Sequence, residues 1–311
     1  MTARPAYREL PLVDADTDYR HAWNFYPPGD NLGALANLNA EARRGGLAAA
    51  ISGEPVSLCL PLSEPDPPMF GREPLVHTVY AKGRNGLDDK LDNFYLQGST
   101  QWDGFRHVRA REHGFFTGIR GDFAPDDDRL GIGHWAGIGI IGRGVLFDFG
   151  HLCDDAIRAG GLAPETTVTA DDVRMRGEEI GVRAGDIICV RTGWMKLYRA
   201  SAPRRRVEMA SSTTWPGLSG AAEMAEVFWD WGVSAVLADN PAVEVSPGSA
   251  KVGSLHRRLI PLLGIPLGEL FDLDQLSARC GVERRSSFLF VSVPLNLPGG
   301  VGSPGNAVAI L

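Results

Sequence analysis

The sequence predicts an α/β protein with mixed β character, and three observations carry that prediction. Short apolar runs bounded by Gly, Pro or Asp recur along the chain, as expected of strands buried on both faces. Segments with helix start and stop signals lie between several of these runs in the second half. In the first half Pro55, Pro61, Pro65, Pro67 and Pro68 break any helix, so turns and short strands are expected there.

Taken in order, the first apolar run is 56–60, followed after the proline-rich stretch by 145–149. Thr169 then reads as an N-cap, with Asp171 and Asp172 in the first turn complementing the helix dipole, and Gly181 closes that helix before the strand 187–190. The longest basic run, Arg204-Arg205-Arg206, has no aromatic residue interleaved and reads as a solvated loop. Ser219 is expected to cap a helix in which Ala221, Ala225 and Phe228 share a face and Gly232 is the stop. Strands 235–238 and 288–293 complete the pattern, with no internal repeat and no low-complexity linker.

With 311 residues and 44% hydrophobic content, the chain can bury a large core. We expect one domain over 1–311, with 1–54 as an N-terminal extension packed on the core. The 38 acidic and 31 basic side chains leave a formal charge of -7 and no long basic run, which argues against nucleic acid and for a small-molecule substrate. Cys59, Cys153, Cys189 and Cys280 form no CxxC pair and read as buried thiols of a reducing compartment. The stretch Met1-Thr2-Ala3-Arg4-Pro5 lacks an apolar signal core, and no apolar run approaches the roughly 18 residues a membrane span needs. The expectation is a soluble, cytoplasmic protein with no membrane partner.

Chemistry concentrates in Gln97-Gly98-Ser99-Thr100-Gln101-Trp102-Asp103-Gly104-Phe105-Arg106-His107, where a carboxylate and an imidazole stand four residues apart among small polar neighbours. Ser254-Leu255-His256 opens an amphipathic stretch, and Glu269 follows thirteen residues after His256. Each residue has a plainer reading. Asp103 before Gly104 could make a turn, His107 could be a core histidine, and His256 could face solvent on a first helical turn. Glu269 could be a surface acid, Trp102 a core residue, and Asp239 a turn cap at the end of an apolar strand. The chain has no Gly-x-Ser-x-Gly elbow and no phosphate-cradling Gly-x-x-x-x-Gly-Lys loop, and Gly299-Gly300-Val301-Gly302 is followed by no helix. His21, His77, His113, His134 and His151 lack an acidic or thiol partner at a metal spacing and read as structural, with His134-Trp135 the exception that could line a pocket.

The Gln97–His107 segment resembles the signature His-x-Gly-Thr-His-x-Asp-x-x-x-His of the cyclase family of metal-dependent hydrolases, which includes bacterial kynurenine formamidase and isatin hydrolase. Thr100, Asp103 and His107 match it, whereas Gln97 and Gln101 replace two metal-binding histidines and Ser99 replaces glycine. The His256 and Glu269 spacing resembles the family's second pair of ligands, and 288–304 its closing strand and Gly-rich turn. Stretches at 142–146, 185–194, 215–219 and 238–241 are similar in the same order, so the resemblance runs from about Asn31 onward.

The resemblance implies a swivelling β/β/α fold, with a mixed β-sheet core or barrel flanked by helices, forming a homodimer or higher homo-oligomer. It implies hydrolysis of a non-peptide C-N bond in a small amide or lactam by metal-activated water. Asp103, His256 and Glu269 would hold the cation, with Gln101 supplying an oxygen, His107 acting as general acid/base and Thr100 orienting the loop. Trp102, Phe105 and Trp135 would wall the substrate pocket. A divalent cation polarises a carbonyl and acidifies water, and an imidazole titrating near neutrality can move the proton. An amide oxygen is a harder donor than imidazole, so manganese or magnesium is favoured over a zinc pair, with zinc also a candidate. Two other functions fit the same residues: lactone hydrolysis, or cyclisation and dehydration of a natural-product intermediate. A third reading is a metal-free binding protein or inactive relative.

Overall fold

The computed structural model describes residues 4–124 and 126–311; residues 1–3, part of the stretch read for a leader, lie outside them. The strands are β1 (Pro55–Ser57), β2 (Val76–Ala81), β3 (Leu87–Asp92), β4 (Gln101–Asp103), β5 (Ile140–Asp148), β6 (Thr167–Val168), β7 (Ile187–Arg191), β8 (Gly217–Leu218), β9 (Ala235–Ala238), β10 (Leu267–Glu269), β11 (Ser287–Ser292), β12 (Gly302–Pro304) and β13 (Ala307–Ile310). Nine of them make one curled mixed sheet, in the order β1-β13-β11-β5-β7-β9-β10-β4-β12, flanked by helices. Strands β2 and β3 pair as a separate exposed hairpin, and β6 pairs with β8.

The centre of the sheet is parallel, β5 with β7, β7 with β9, and β9 with β10. Covered on both faces, these strands are unbroken apolar runs, which is why 187–190 and 235–238 were legible as strands. Strand β5 begins five residues before the expected 145, through Gly142-Arg143-Gly144, and ends at Asp148. Those glycines are not turn residues. A Cβ on Gly144 would stand 2.3 Å from Cε2 of Phe288, so glycine leaves room for the ring across the β5–β11 pair.

The first expected strand, 56–60, pairs only as far as Ser57. Beyond it the backbone leaves the ladder: the Leu58 N–H donates to the Ala307 carbonyl at 3.1 Å and the Leu60 N–H to Thr100 Oγ1 at 2.9 Å. The helix Ala170–Ile180 starts at Thr169, whose hydroxyl accepts from the Asp172 N–H while Asp172 accepts from the Thr169 N–H, and it ends at Gly181 with φ 69. In the helix Ala222–Trp231 the cap is Ala221 rather than Ser219. Ser219 is held two residues earlier by its own N–H on the Val168 carbonyl, and its hydroxyl accepts from the Ala221 N–H.

Arg204, Arg205 and Arg206 lie on a helix, Pro203–Ser211, not in a loop. Pro203 opens it, and the Arg206 guanidinium donates to the carbonyls of Tyr198, Arg199 and Ser201, the orphan acceptors ending the helix Trp194–Ala200. The four cysteines are free thiols, three of them buried and Cys59 half-buried. Among the described residues no helix is long and apolar enough to cross a membrane.

Residues before 55 contribute Tyr7, Ala22, Tyr26, Leu35 and Leu38 to the main core. They also serve one particular helix. The turn Leu255–Arg257 continues as a π-helical segment, Arg258–Leu263, interrupted by Pro261. Such a segment leaves carbonyls without the usual i→i−4 donor. The Trp23 indole N–H donates to Pro261 O, the Ala22 N–H to Leu262 O, the Tyr26 hydroxyl to Leu263 O and the Ala34 N–H to Gly264 O. The element that carries His256 is thereby pinned at its far end.

Candidate metal centre and active site

Strand alternation assembles the first half of the site. In the antiparallel pair β4–β10, Glu269 stands opposite Gln101, Gly268 opposite Trp102, and Leu267 opposite Asp103. Side chains of successive residues point to opposite faces, so Gln101, Asp103 and Glu269 share one face and Trp102 takes the other. Gly268 is required for that arrangement, because a Cβ there would meet Phe271, Leu237 and the Trp102 ring at 2.7, 2.9 and 3.1 Å.

His256 reaches the same face from the π-helical element. Donor atoms of Asp103, His256 and Glu269 lie within 4.8 Å of one another, as the family resemblance implied. The His256 Nε2 is 3.0 Å from Glu269 Oε1 and 3.7 Å from Asp103 Oδ2. His107, a third exposed, places Nε2 3.7 Å from the other oxygen of Asp103. Its loop is held by the Gly104 N–H on the Val301 carbonyl, where a Cβ on Gly104 would come within 2.5 Å of that oxygen. Thr100 fixes the preceding turn: its hydroxyl donates to Leu270 O at 2.6 Å while accepting from the Leu60 N–H.

Glu244 completes the cluster, and the sequence analysis did not single it out. One of its oxygens accepts from His256 Nδ1 at 2.7 Å and from the Ser254 hydroxyl at 3.0 Å; the other accepts from the Leu255 N–H at 2.6 Å. A carboxylate on Nδ1 fixes the orientation of the ring and turns Nε2 toward Asp103 and Glu269. The available signal was an acid embedded in Pro241-Ala242-Val243-Glu244-Val245, an apolar stretch where an unpaired carboxylate is costly.

The electrostatics are those of a site with too many acids. Burial, together with the charge of Asp103, pushes the Glu269 carboxyl up, against the pull of His256 and Gln101. Burial alone would lower the His256 imidazole, but Asp103, Glu244 and Glu269 around it outweigh burial and hold it well above its ordinary value. Burial raises Glu244 too, and there the hydrogen bond and charge of His256, helped by the Leu255 and His256 N–H groups, win and leave it lowered.

Two features show that the donor set fits a divalent cation. Both carboxylate oxygens of Asp103, which is fully buried, have no hydrogen-bond partner among the described residues, and neither has the amide oxygen of Gln101. Burying such acceptors unpaired costs several kcal/mol in effective terms, a cost that a cation removes. The amide nitrogen of Gln101 donates to Glu269 Oε2 at 2.6 Å. Gln97, the other glutamine in a histidine position, is half-buried and packs its amide over Gly302.

The aromatic residues expected to wall a pocket lie elsewhere. Trp102 is fully buried on the opposite face of β4, edge-on to Phe271 and Phe290, with its indole N–H on the Ser292 hydroxyl. Phe105 and Trp135 are fully buried against each other, with Phe116 stacked beside Phe105 and the Trp135 N–H on the Asn31 carbonyl. A cavity of about 360 Å³ is instead bounded by the loop Leu62–Asp66, by Arg72–Leu75 and by Asn93–Leu96, with Ser99 and Thr100, which lead into β4, on its wall. Asp239, fully buried at the end of β9, accepts from the Thr192 N–H and hydroxyl and from the Gly193 N–H, joining β9 to β7 rather than facing the cluster.

Fold and cluster together define an α/β protein whose sheet edge presents a buried carboxylate–imidazole centre suited to a divalent cation. The chain belongs to the putative cyclase family, whose model matches residues 56–245. A crystal structure described as a novel cyclase is similar to it with a TM-score of 0.81 and 26% identity, over 94% of this chain and 99% of the other. An isatin hydrolase bound to the product analogue thioisatinate shares the fold at a TM-score of 0.59 and 17% identity, covering 88% of this chain and 99% of its own. Isatin hydrolase A from Ralstonia solanacearum does so at 0.56 and 16%, covering 85% and 95%. No curated protein matches the chain.

Proposed function

We propose that this protein hydrolyses a non-peptide carbon–nitrogen bond in a small amide or lactam, with a divalent cation held by Asp103, His256 and Glu269. The observation that carries this reading is the convergence of those three side chains, with the buried carboxylate oxygens of Asp103 left without a hydrogen-bond partner among the described residues. A cation there supplies Lewis acidity toward a carbonyl oxygen and acidifies water. Two carboxylates, one imidazole and the neutral oxygen of Gln101 make an oxygen-rich set, which favours manganese or magnesium over zinc.

The chain's own residues do the rest. Glu244 orients His256, and Gln101 orients Glu269 through its amide nitrogen. His107, open to solvent on one side and beside Asp103 on the other, is positioned to take a proton from attacking water and return it to the leaving nitrogen. Thr100 ties the loop bearing these groups to β10's exit at Leu270. The active species is taken to be a homodimer or larger homo-oligomer, as the family resemblance implies, and sedimentation heavier than a monomer is the expected result.

Protein purified without chelator should carry stoichiometric metal and hydrolyse members of a panel of formanilides, lactams and lactones. His107→Ala and Asp103→Ala should each lose that turnover. Equal turnover by wild type and both variants would defeat the assignment of the site. Turnover of lactones alone would keep the site and change the bond to a carbon–oxygen one. Absence of metal together with absence of any response to added manganese or zinc would leave a binding protein on this scaffold.

A further inference from the structure

The cavity that carries Ser99 and Thr100 on its wall contains a cation that the fold does not use. Arg72 lines it, half-buried, with its guanidinium 5.2 Å from the Phe70 ring centroid. Among the described residues that guanidinium makes neither a hydrogen bond nor an ion pair with a protein group. Its neighbourhood locates it: burial lowers its pKa, and the largest opposing influences are the charges of Glu269 and then Asp103. It therefore lines the cavity within electrostatic reach of the cluster and makes no ion pair with it.

The other charges on the wall are committed or exposed. Arg206 spends its guanidinium on three backbone carbonyls, and Glu64 faces Arg199 at 3.8 Å. Asp66 and Glu73 are exposed, so water and salt screen them, whereas a half-buried charge is screened less. Apolar lining comes from Leu62, Leu75 and Phe94. An uncommitted, partly desolvated guanidinium on the wall of such a cavity matches a planar carboxylate, which it can bind with two parallel hydrogen bonds.

We propose that Arg72 is the specificity-determining residue of this site, binding a carboxylate that the substrate carries apart from the bond to be cleaved. The assignment rests on the reading of the Asp103–His256–Glu269 cluster as the reaction centre. It makes the substrate a small carboxylate-bearing amide whose scissile group lies toward the cluster and whose anion lies toward Arg72.

Manganese-loaded protein titrated with benzoate, by calorimetry, tests the anion site without relying on turnover. Binding should weaken roughly tenfold or more in Arg72→Gln and recover in part in Arg72→Lys, the scale expected for a lost charged hydrogen bond. In kinetics, the wild-type preference for 2-formamidobenzoate over neutral formanilide, read as the ratio of kcat/KM values, should collapse in Arg72→Gln through KM more than kcat. Unchanged benzoate affinity in a folded Arg72→Gln protein, or no benzoate binding by wild type, would overturn the proposal. So would inorganic phosphate binding more tightly than benzoate with the same dependence on Arg72. Arg72-dependent benzoate binding with no amide hydrolysed would sustain the anion site and refute the hydrolase reading. Amide hydrolysis with benzoate affinity indifferent to Arg72 would do the reverse.

Discussion

Asp103 lies with both carboxylate oxygens out of water and without a hydrogen-bond partner among the described residues, between His107 and His256 at 3.7 Å each. Such a residue is a liability to the empty protein and an asset to the loaded one. Manganese should therefore raise the wild-type melting temperature, by the equivalent of about 2.7 kcal/mol at a hundredfold excess over Kd, and a chelator should reverse it. Asp103→Asn should abolish that response while melting at or above the metal-free wild type, because it removes a buried charge. A wild-type melt indifferent to manganese and chelator alike would refute the cation. Glu244→Ala should lower manganese affinity about 10–100-fold by freeing the His256 ring, whereas Glu244→Gln, which keeps an acceptor, should retain most of it. Thr100, Asp103, His107, His256 and Glu269 were legible because their spacings repeat a known pattern. Glu244 was not, since it stands in an apolar stretch outside the quoted motifs and is delivered by a loop in which Val243 adopts φ 55.

At the scale of elements, the period of the β-strand decides which side chains meet. Gln101 and Asp103 face the cluster because they flank Trp102, and no reading of nearest neighbours in sequence could have put Trp102 in the same pocket as both. Gly268→Ala tests the closeness of this packing. A Cβ wedged between Phe271, Leu237 and Trp102 should destabilise the protein by about 1–3 kcal/mol in denaturant melts and loosen the β4–β10 pair. Helix limits were legible where capping chemistry is local, at Thr169 and at Gly181 and Gly232, and were misread where a partner element intervenes. Ser219 looks like a cap until its N–H is seen on β6, and Arg206 looks solvated until the end of the preceding helix is placed beneath it.

Across the whole molecule, buried acids outside the cluster make stability depend on pH. Asp239 is pushed by burial from 3.8 up to about 6, against the hydrogen bonds of Thr192. The folded state thus binds this proton more tightly than the unfolded state does. Its contribution to stability is fully present below 3.8 and is lost as pH rises through about 6, amounting to roughly 3 kcal/mol at most. Asp186, paired with Arg143 at 2.9 Å and likewise raised to about 6 by burial, acts in the same direction. Melting temperatures across this window should fall less steeply in Asp239→Asn than in wild type; identical slopes would show that Asp239 titrates as it does in the unfolded chain.

The sequence by itself determined the α/β class and the apolar strands and capped helix of the second half, and its likeness to a known family named Asp103, His256 and Glu269 as one group. The class and the elements follow from short-range regularities, apolar runs and capping residues, and the group from a resemblance that spans distant segments. Only the tertiary structure decided that Glu244 holds His256, that the first 54 residues satisfy the carbonyls of the element carrying it, and that Trp102, Phe105 and Trp135 serve the core while Arg72 and its neighbours bound the cavity. Those outcomes depend on which distant backbones lie within hydrogen-bond reach. That is settled by the packing of the whole sheet and its helices, where orphaned carbonyls and buried carboxylates must find partners wherever the fold brings donors near them.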